Sequence, residues 1–125
     1  MTSLDYTLGL LKIPVTDLAI SVPFYEEKLH FYKEFITEEY GWAQFCIGEL
    51  SIALYIPGKG GGTSPTNRNL DFHLYLPENQ FTPLAQKLLE LGHLSENMIH
   101  TGNDGSIFID MVDPDKNLLK IMQCD

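Results

Sequence analysis

The sequence predicts an α+β fold of two strand–helix–strand–strand–strand modules in tandem, and three observations predict it. Runs with the two-residue alternation of a strand and stripes with the spacing of a helix occur twice in the same order, each copy about sixty residues long. A stretch with almost no large apolar residue, Pro57 to Asn69, separates the copies. A length of 125 residues suits one domain that buries a real core without staples. One copy offers a single sheet face and one helix, so pairing two lets the sheets form a shared core or cleft. The expectation is a single domain over 1–125, with module one at about 5–57, a linker at about 58–69 and module two at about 70–124.

Leu8 to Val15 reads as the first strand, with Leu11, Ile13 and Val15 on one face and Leu10, Lys12 and Pro14 on the other. Asp17 is placed to cap a helix whose stripe is Leu18, Val22, Tyr25 and Leu29, ending near His30. Pro23 deletes a helical hydrogen bond, which predicts either an irregular first turn or a regular helix starting near Pro23. Three strands follow, at Lys33–Glu38, Trp42–Ile47 and Leu50–Ile56, with turns at Tyr40-Gly41 and Gly48-Glu49. The segment Pro57 to Asn69 reads as a flexible linker or surface loop. Its Gly60-Gly61-Gly62 run lacks the Gly-Lys-Ser/Thr order of a phosphate loop.

In the second copy, Asp71 to Leu76 forms a strand, with Phe72, Leu74 and Leu76 on one face and Asp71, His73 and Tyr75 on the other. A helix with the stripe Phe81, Leu84, Leu88 and Leu91 follows, and Gly92 is its expected C-terminal cap. Strands are then expected around Met98–His100, at Ser106–Val112 and, after the turn Asp113-Pro114-Asp115-Lys116-Asn117, at Leu118–Gln123.

The charge is −9, from 17 acidic and 8 basic side chains, a sign that disfavours nucleic acid. No apolar run approaches the roughly 18 residues of a membrane helix, and Met1 to Tyr6 lacks the basic and apolar character of a secretion signal. The cytoplasm is therefore the expected location. Cys46, in an apolar strand, reads as a small buried hydrophobe, and Cys124 as a free thiol. They are too far apart for a close-spaced metal motif, and neither signals a disulfide framework. His93 and His100 read as solvent-facing, outside the strands that would line a cleft, and Trp42 as core or aromatic cleft surface.

Several of these runs carry a resemblance. Val15-Thr16-Asp17-Leu18, Phe24-Tyr25 and Leu29-His30-Phe31 resemble the strand, Asp-Leu, Phe-Tyr and Leu-Gly-Phe pattern of the vicinal-oxygen-chelate superfamily, which holds glyoxalase I, extradiol dioxygenases and bleomycin-resistance proteins. Asp113-Pro114-Asp115-Lys116-Asn117-Leu118 resembles that family's Asp-Pro-Asp-Gly-Asn turn before its last strand. The resemblance implies that the modules form an open, cleft-bearing mixed sheet barrel. His30 and Lys116 stand where the family has Gly, so local geometry is in question there. Asn117 is a candidate for the left-handed conformation at the second turn.

Family members that do chemistry hold a divalent metal at four inner-face positions, which here carry Leu10, Ala53, Asp71 and Lys120. Leucine and alanine have no donor, lysine must first lose a proton, and one carboxylate is too few for a metal site. No cofactor or metal is therefore expected. The same alternation puts Lys12, Ser51, Ala53, Tyr55, Asp71, His73, Tyr75, Lys120 and Met122 on the concave faces. Lys12, Tyr55, Asp71, His73, Tyr75 and Lys120 are the candidate ligand-binding residues, suited to a polar aromatic or anionic small molecule. An Asp71–Lys120 ion pair is the competing structural use of two of them. The reading is a metal-free small-molecule-binding protein that sequesters its ligand, expected as a homodimer by analogy with the family. The alternative is a glyoxalase-type lyase or isomerase with a divalent metal or an Asp71 or His73 general base.

Overall fold

The computed structural model describes residues 5–62 and 73–124, which divide between two compact units, residues 1–66 and 67–125. The first unit runs β1 (Leu11–Pro14), α1 (Leu18–Pro23), β2 (Tyr32–Thr37), β3 (Trp42–Ile47) and β4 (Leu50–Tyr55). The second runs β5 (His73–Pro77), α2 (Glu78–Glu90), β6 (Ile99–Thr101), β7 (Ile107–Val112) and β8 (Leu118–Cys124). Each forms a four-stranded mixed sheet. The orders β1-β4-β3-β2 and β5-β8-β7-β6 are the same, with the first strand parallel to the last and the other pairs antiparallel. The repeated strand–helix–strands order expected from the sequence is therefore the observed architecture. Asp71 and Phe72 lie outside the described residues.

The start of the first unit differs from expectation in two ways. The first strand begins at Leu11 rather than Leu8. The first helical turn is regular, because the Asp17 carboxylate accepts the Ala19 N–H at 2.9 Å and the Asp17 carbonyl accepts that of Ser21 at 3.0 Å. Pro23 closes the regular helix instead of opening it. With no N–H it cannot extend the ladder, and Phe24 to Lys28 wind into a wider π-turn whose end is the Leu29 N–H to Phe24 carbonyl bond of 3.3 Å. That turn sets Phe24 and Tyr25 side by side into the core, at a ring separation of 5.1 Å.

The core of the first unit is the face of β1, β4 and β3 that carries Ile13, Leu54 and Ala43 in one row and Ile52 and Phe45 in the next, beneath Val22, Phe24, Tyr25 and Leu29. In the second unit Ile109, Met111, Leu119 and Ile121 are buried along with Phe81, Ala85 and Leu88 of α2. Ala85 takes the place expected of Leu91, which is 57% exposed. Leu91 follows the last helical residue, so the stripe ends before reaching it. Gly92 closes the helix as expected. At φ 75° it lets its own N–H bond the Leu89 carbonyl at 3.1 Å and that of His93 bond Leu88 at 2.9 Å. Cys46 is half-buried rather than buried, because it pairs with Ser51 on the face away from the core.

Both residues that replace glycine take the left-handed conformation, His30 at φ 61° and Lys116 at φ 68°. Asn117 does not, contrary to expectation, because both its N–H groups bond the Asp113 carboxylate, the backbone N–H at 2.7 Å and Nδ2 at 2.8 Å. The turn pivots at Lys116 instead. A Cβ in this conformation costs about 1–2 kcal/mol. Lys116→Gly is therefore expected to stabilise the protein, by about 1 kcal/mol or less once glycine's extra unfolded-state entropy is subtracted. Chemical denaturation measures this. A midpoint that falls would show that Lys116 gains more from its side chain than it loses to strain.

Candidate functional site

The face of each sheet opposite its core carries the polar side chains, and pairing register decides which of them meet. In the first unit Lys12, Ala53 and Gln44 form one row, and Pro14, Tyr55, Trp42 and Thr37 the next. The Lys12 ammonium lies 4.4 Å from the centre of the Tyr55 ring and 5.9 Å from that of Trp42, and donates to the Gly61 carbonyl at 2.5 Å. An ammonium over ring faces gains electrostatically from their negative quadrupole. The Trp42 Nε1–H donates to Gln44 Oε1 at 3.1 Å, and Gln44 Nε2 donates in turn to Glu34 at 3.5 Å. Tyr55 is nearly fully buried because Lys12, Gly61 and Gly62 lie across it.

Gly60 to Gly62, expected as part of a flexible linker or surface loop, form a surface loop. The segment folds back on the sheet, closed by the Gly58 N–H to Gly62 carbonyl bond of 2.8 Å. A Cβ on Gly61 would stand 2.7 Å from Trp42 Cε3, and one on Gly60 3.0 Å from Tyr40 Cδ1. The missing side chains are what let the loop approach the rings. Tyr40 itself is held in place by the turn before β3. There Gly41 takes φ 60° and a Cβ would meet that of Ile56 at 2.8 Å.

In the second unit His73, Lys120 and Asp110 share one row, and Tyr75, Met122, Phe108 and His100 the next. His73 is exposed and Tyr75 is 63% exposed. Lys120 Nζ lies 4.7 Å from the centre of the Phe108 ring, and the His100 ring packs on the same phenyl group at 5.2 Å. His100 Nε2 stands 3.3 Å from Asp110 Oδ2, while Asp110 Oδ1 is buried with no hydrogen-bond partner among the described residues. His100 is thus on the same face as Tyr75 and Lys120, on the outer strand β6 and with its side chain 41% exposed. His93 is exposed, as expected.

The sequence reading also missed Asp110. The signal was available. Centring the β6–β7 hairpin on Asp104, the middle of a three-residue loop, pairs His100 with Phe108 and places Asp110 on the same face. Asp104 is an exposed turn residue, outside both polar faces. The hydroxyl and backbone N–H of Ser106 hold its carboxyl below the usual carboxylate range.

Of the candidate ligand-binding residues, Lys12 and Tyr55 meet on the first sheet and His73, Tyr75 and Lys120 on the second. Asp71, and with it the competing Asp71–Lys120 ion pair, lies outside the described residues. Neither lysine has a carboxylate within 4.0 Å among the described residues, whose ion pairs are Lys33–Glu26 and His100–Asp110. The four positions a metal would use do not fit one. Leu10 has no donor, Ala53 is a buried methyl group beside Lys12, and Lys120 places an ammonium group over a ring. No group of three His, Cys, Asp or Glu is gathered among the described residues.

No family model and no curated protein matches the chain. Solved structures do. A lactoylglutathione lyase from Agrobacterium tumefaciens superposes with a TM-score of 0.72 at 14% identity, covering 95% of this chain and 94% of its own. A glyoxalase/bleomycin resistance protein/dioxygenase from Nocardioides gives 0.70 at 18% identity over 98% and 85%. A virulence protein from Salmonella typhimurium gives 0.71 at 21% identity over 98% and 100%. The chain has the fold of the glyoxalase/bleomycin-resistance/dioxygenase proteins, as the sequence motifs implied. At these identities the likeness is one of fold.

Proposed function

We propose that this protein is a metal-free binding protein that sequesters a polar aromatic or anionic small molecule. Lys12 and Tyr55 act on the first sheet and His73, Tyr75 and Lys120 on the second, with Asp71 a further candidate. One observation carries the reading. Two ammonium groups are seated on aromatic rings on the polar faces, and neither is neutralised by a carboxylate among the described residues. A cation held this way keeps its attraction for an anionic group while the ring offers a surface for a second one. The misfit of Leu10, Ala53 and Lys120 to a divalent ion points the same way.

Two measurements test it. Elemental analysis after dialysis is expected to find no divalent metal approaching one per chain. Titration calorimetry with a set of aromatic carboxylates is expected to find a binder that Lys120→Ala and His73→Ala each weaken by about 1–3 kcal/mol, the range for losing a charged or buried hydrogen bond. Stoichiometric metal, or a binder indifferent to both substitutions, would overturn the reading.

A second reading, a lyase or isomerase, draws on a different observation. The His100–Asp110 contact of 3.3 Å gives an imidazole the carboxylate that orients a general base. Its mark would be a proton-transfer activity lost in both His100→Gln and Asp110→Asn.

A further inference from the structure

On the first unit alone, Phe35, Thr37, Tyr40, Trp42, Gly60 and Gly61 surround an open recess of about 400 Å³. Three of the six are aromatic, and two of those are solvent-exposed, Phe35 at 47% and Tyr40 at 55%. Nothing in the packing of the sheet requires them there. The core lies on the other face, and β2 is an edge strand whose apolar side chains Tyr32, Phe35 and Ile36 are all exposed. Large aromatic groups left in water around a concavity mark a place where a ligand removes that water.

We infer that this recess is a binding site for a planar aromatic small molecule, set against the rings of Phe35, Tyr40 and Trp42 beside the Gly60-Gly61 backbone. The loop already lies against the indole at Gly61, where one added carbon would fall 2.7 Å from Trp42 Cε3, so the occupant takes the ring surface that the loop leaves open. The indole N–H is committed to Gln44, so ring surface dominates what the recess offers beside the Thr37 and Tyr40 hydroxyls. Ring faces favour another π-system over a saturated ring of the same outline. The volume falls within the roughly 300–1,000 Å³ of small-molecule sites. The proposal goes beyond the function proposed above and needs neither Lys120 nor His73, so either can fail while the other stands.

The test uses 2-naphthol and decahydro-2-naphthol, the same skeleton with and without aromaticity, titrated into the full-length ¹⁵N-labelled chain. Trp42 is the sole tryptophan, so its indole N–H resonance is assigned without ambiguity. The expected result is a saturable shift of that resonance and of the Gly60 and Gly61 amides with 2-naphthol, and affinity at least tenfold weaker for the saturated compound. Gly61→Ala and Tyr40→Leu are each expected to weaken 2-naphthol at least tenfold. Tyr40 is exposed, so its variant keeps the test valid if Gly61→Ala disturbs the loop. Equal binding of the two compounds, shifts confined to residues away from Trp42, or unchanged affinity in Tyr40→Leu would overturn the proposal.

Discussion

Replacing Asp113 by alanine is expected to lower stability by about 2–4 kcal/mol, more than any other single substitution of a polar residue described above. Asp113 is 3% exposed, and three hydrogen bonds among the described residues reach its carboxylate, from the backbone N–H of Asp115 at 2.9 Å and from both donors of Asn117. Hydrogen bonds to a charged acceptor contribute about 1.5–3 kcal/mol each in favourable cases, and donors left unpaired in a half-buried turn add a desolvation cost. The three share one acceptor, so their losses do not simply sum. Asp113→Asn should fall between, because its amide oxygen still accepts from the backbone while its NH₂ confronts the Asn117 amide. Urea unfolding reads the result as a shift of the midpoint at constant slope. A loss under about 1 kcal/mol for alanine would show that the turn holds its shape through the Lys116 N–H to Asp113 carbonyl and Asp113 N–H to Asn117 carbonyl bonds, both 2.9 Å.

That turn illustrates what the sequence made legible and what it did not. Its residues marked a tight reversal before the last strand, and the reversal is there. Which residue bends through positive φ depended on where Asn117 directs its two N–H donors, and the family's Gly at the position of Lys116 was the signal for it. The same division runs through the fold. Strand alternation placed β3 at its observed bounds and the apolar stripes found both helices, because these signals are local. The repeated order predicted two like sheets, which the identical strand orders bear out.

The site was less legible, for a physical reason. Gly60 to Gly62 read as linker because composition records what a residue carries, and a glycine carries nothing to pack. In the structure the rings of Tyr40 and Trp42 do the packing, across a distance in sequence that no window spans. Pleat geometry correctly put Lys12 with Tyr55 and His73 with Lys120 on shared faces. The face of His100 was not read because the short β6 strand gives too few residues for alternation, and only the hairpin centre fixes its partner.

The face assignment is itself exposed to a direct comparison between two phenylalanines on adjoining strands. Phe45→Ala is expected to destabilise the protein by about 3–5 kcal/mol, the range for emptying a buried aromatic site. Phe45 is fully buried in the middle of the first sheet, with its ring 6.2 Å from that of Tyr25 and 6.3 Å from that of Phe31. Those two rings close up only partly, since each is fixed from behind by the π-turn that places Tyr25 and the left-handed His30 that precedes Phe31. Phe35→Ala should change stability by about 0.5 kcal/mol or less, because the side chain is half in water on the opposite face. The two variants should trade places when 2-naphthol binding is measured, with affinity lost in Phe35→Ala. Thermal and urea unfolding of both, beside the titration, decide the matter. If Phe35→Ala costs as much stability as Phe45→Ala, then Phe35 belongs to a core, and the recess it lines is packing rather than a site.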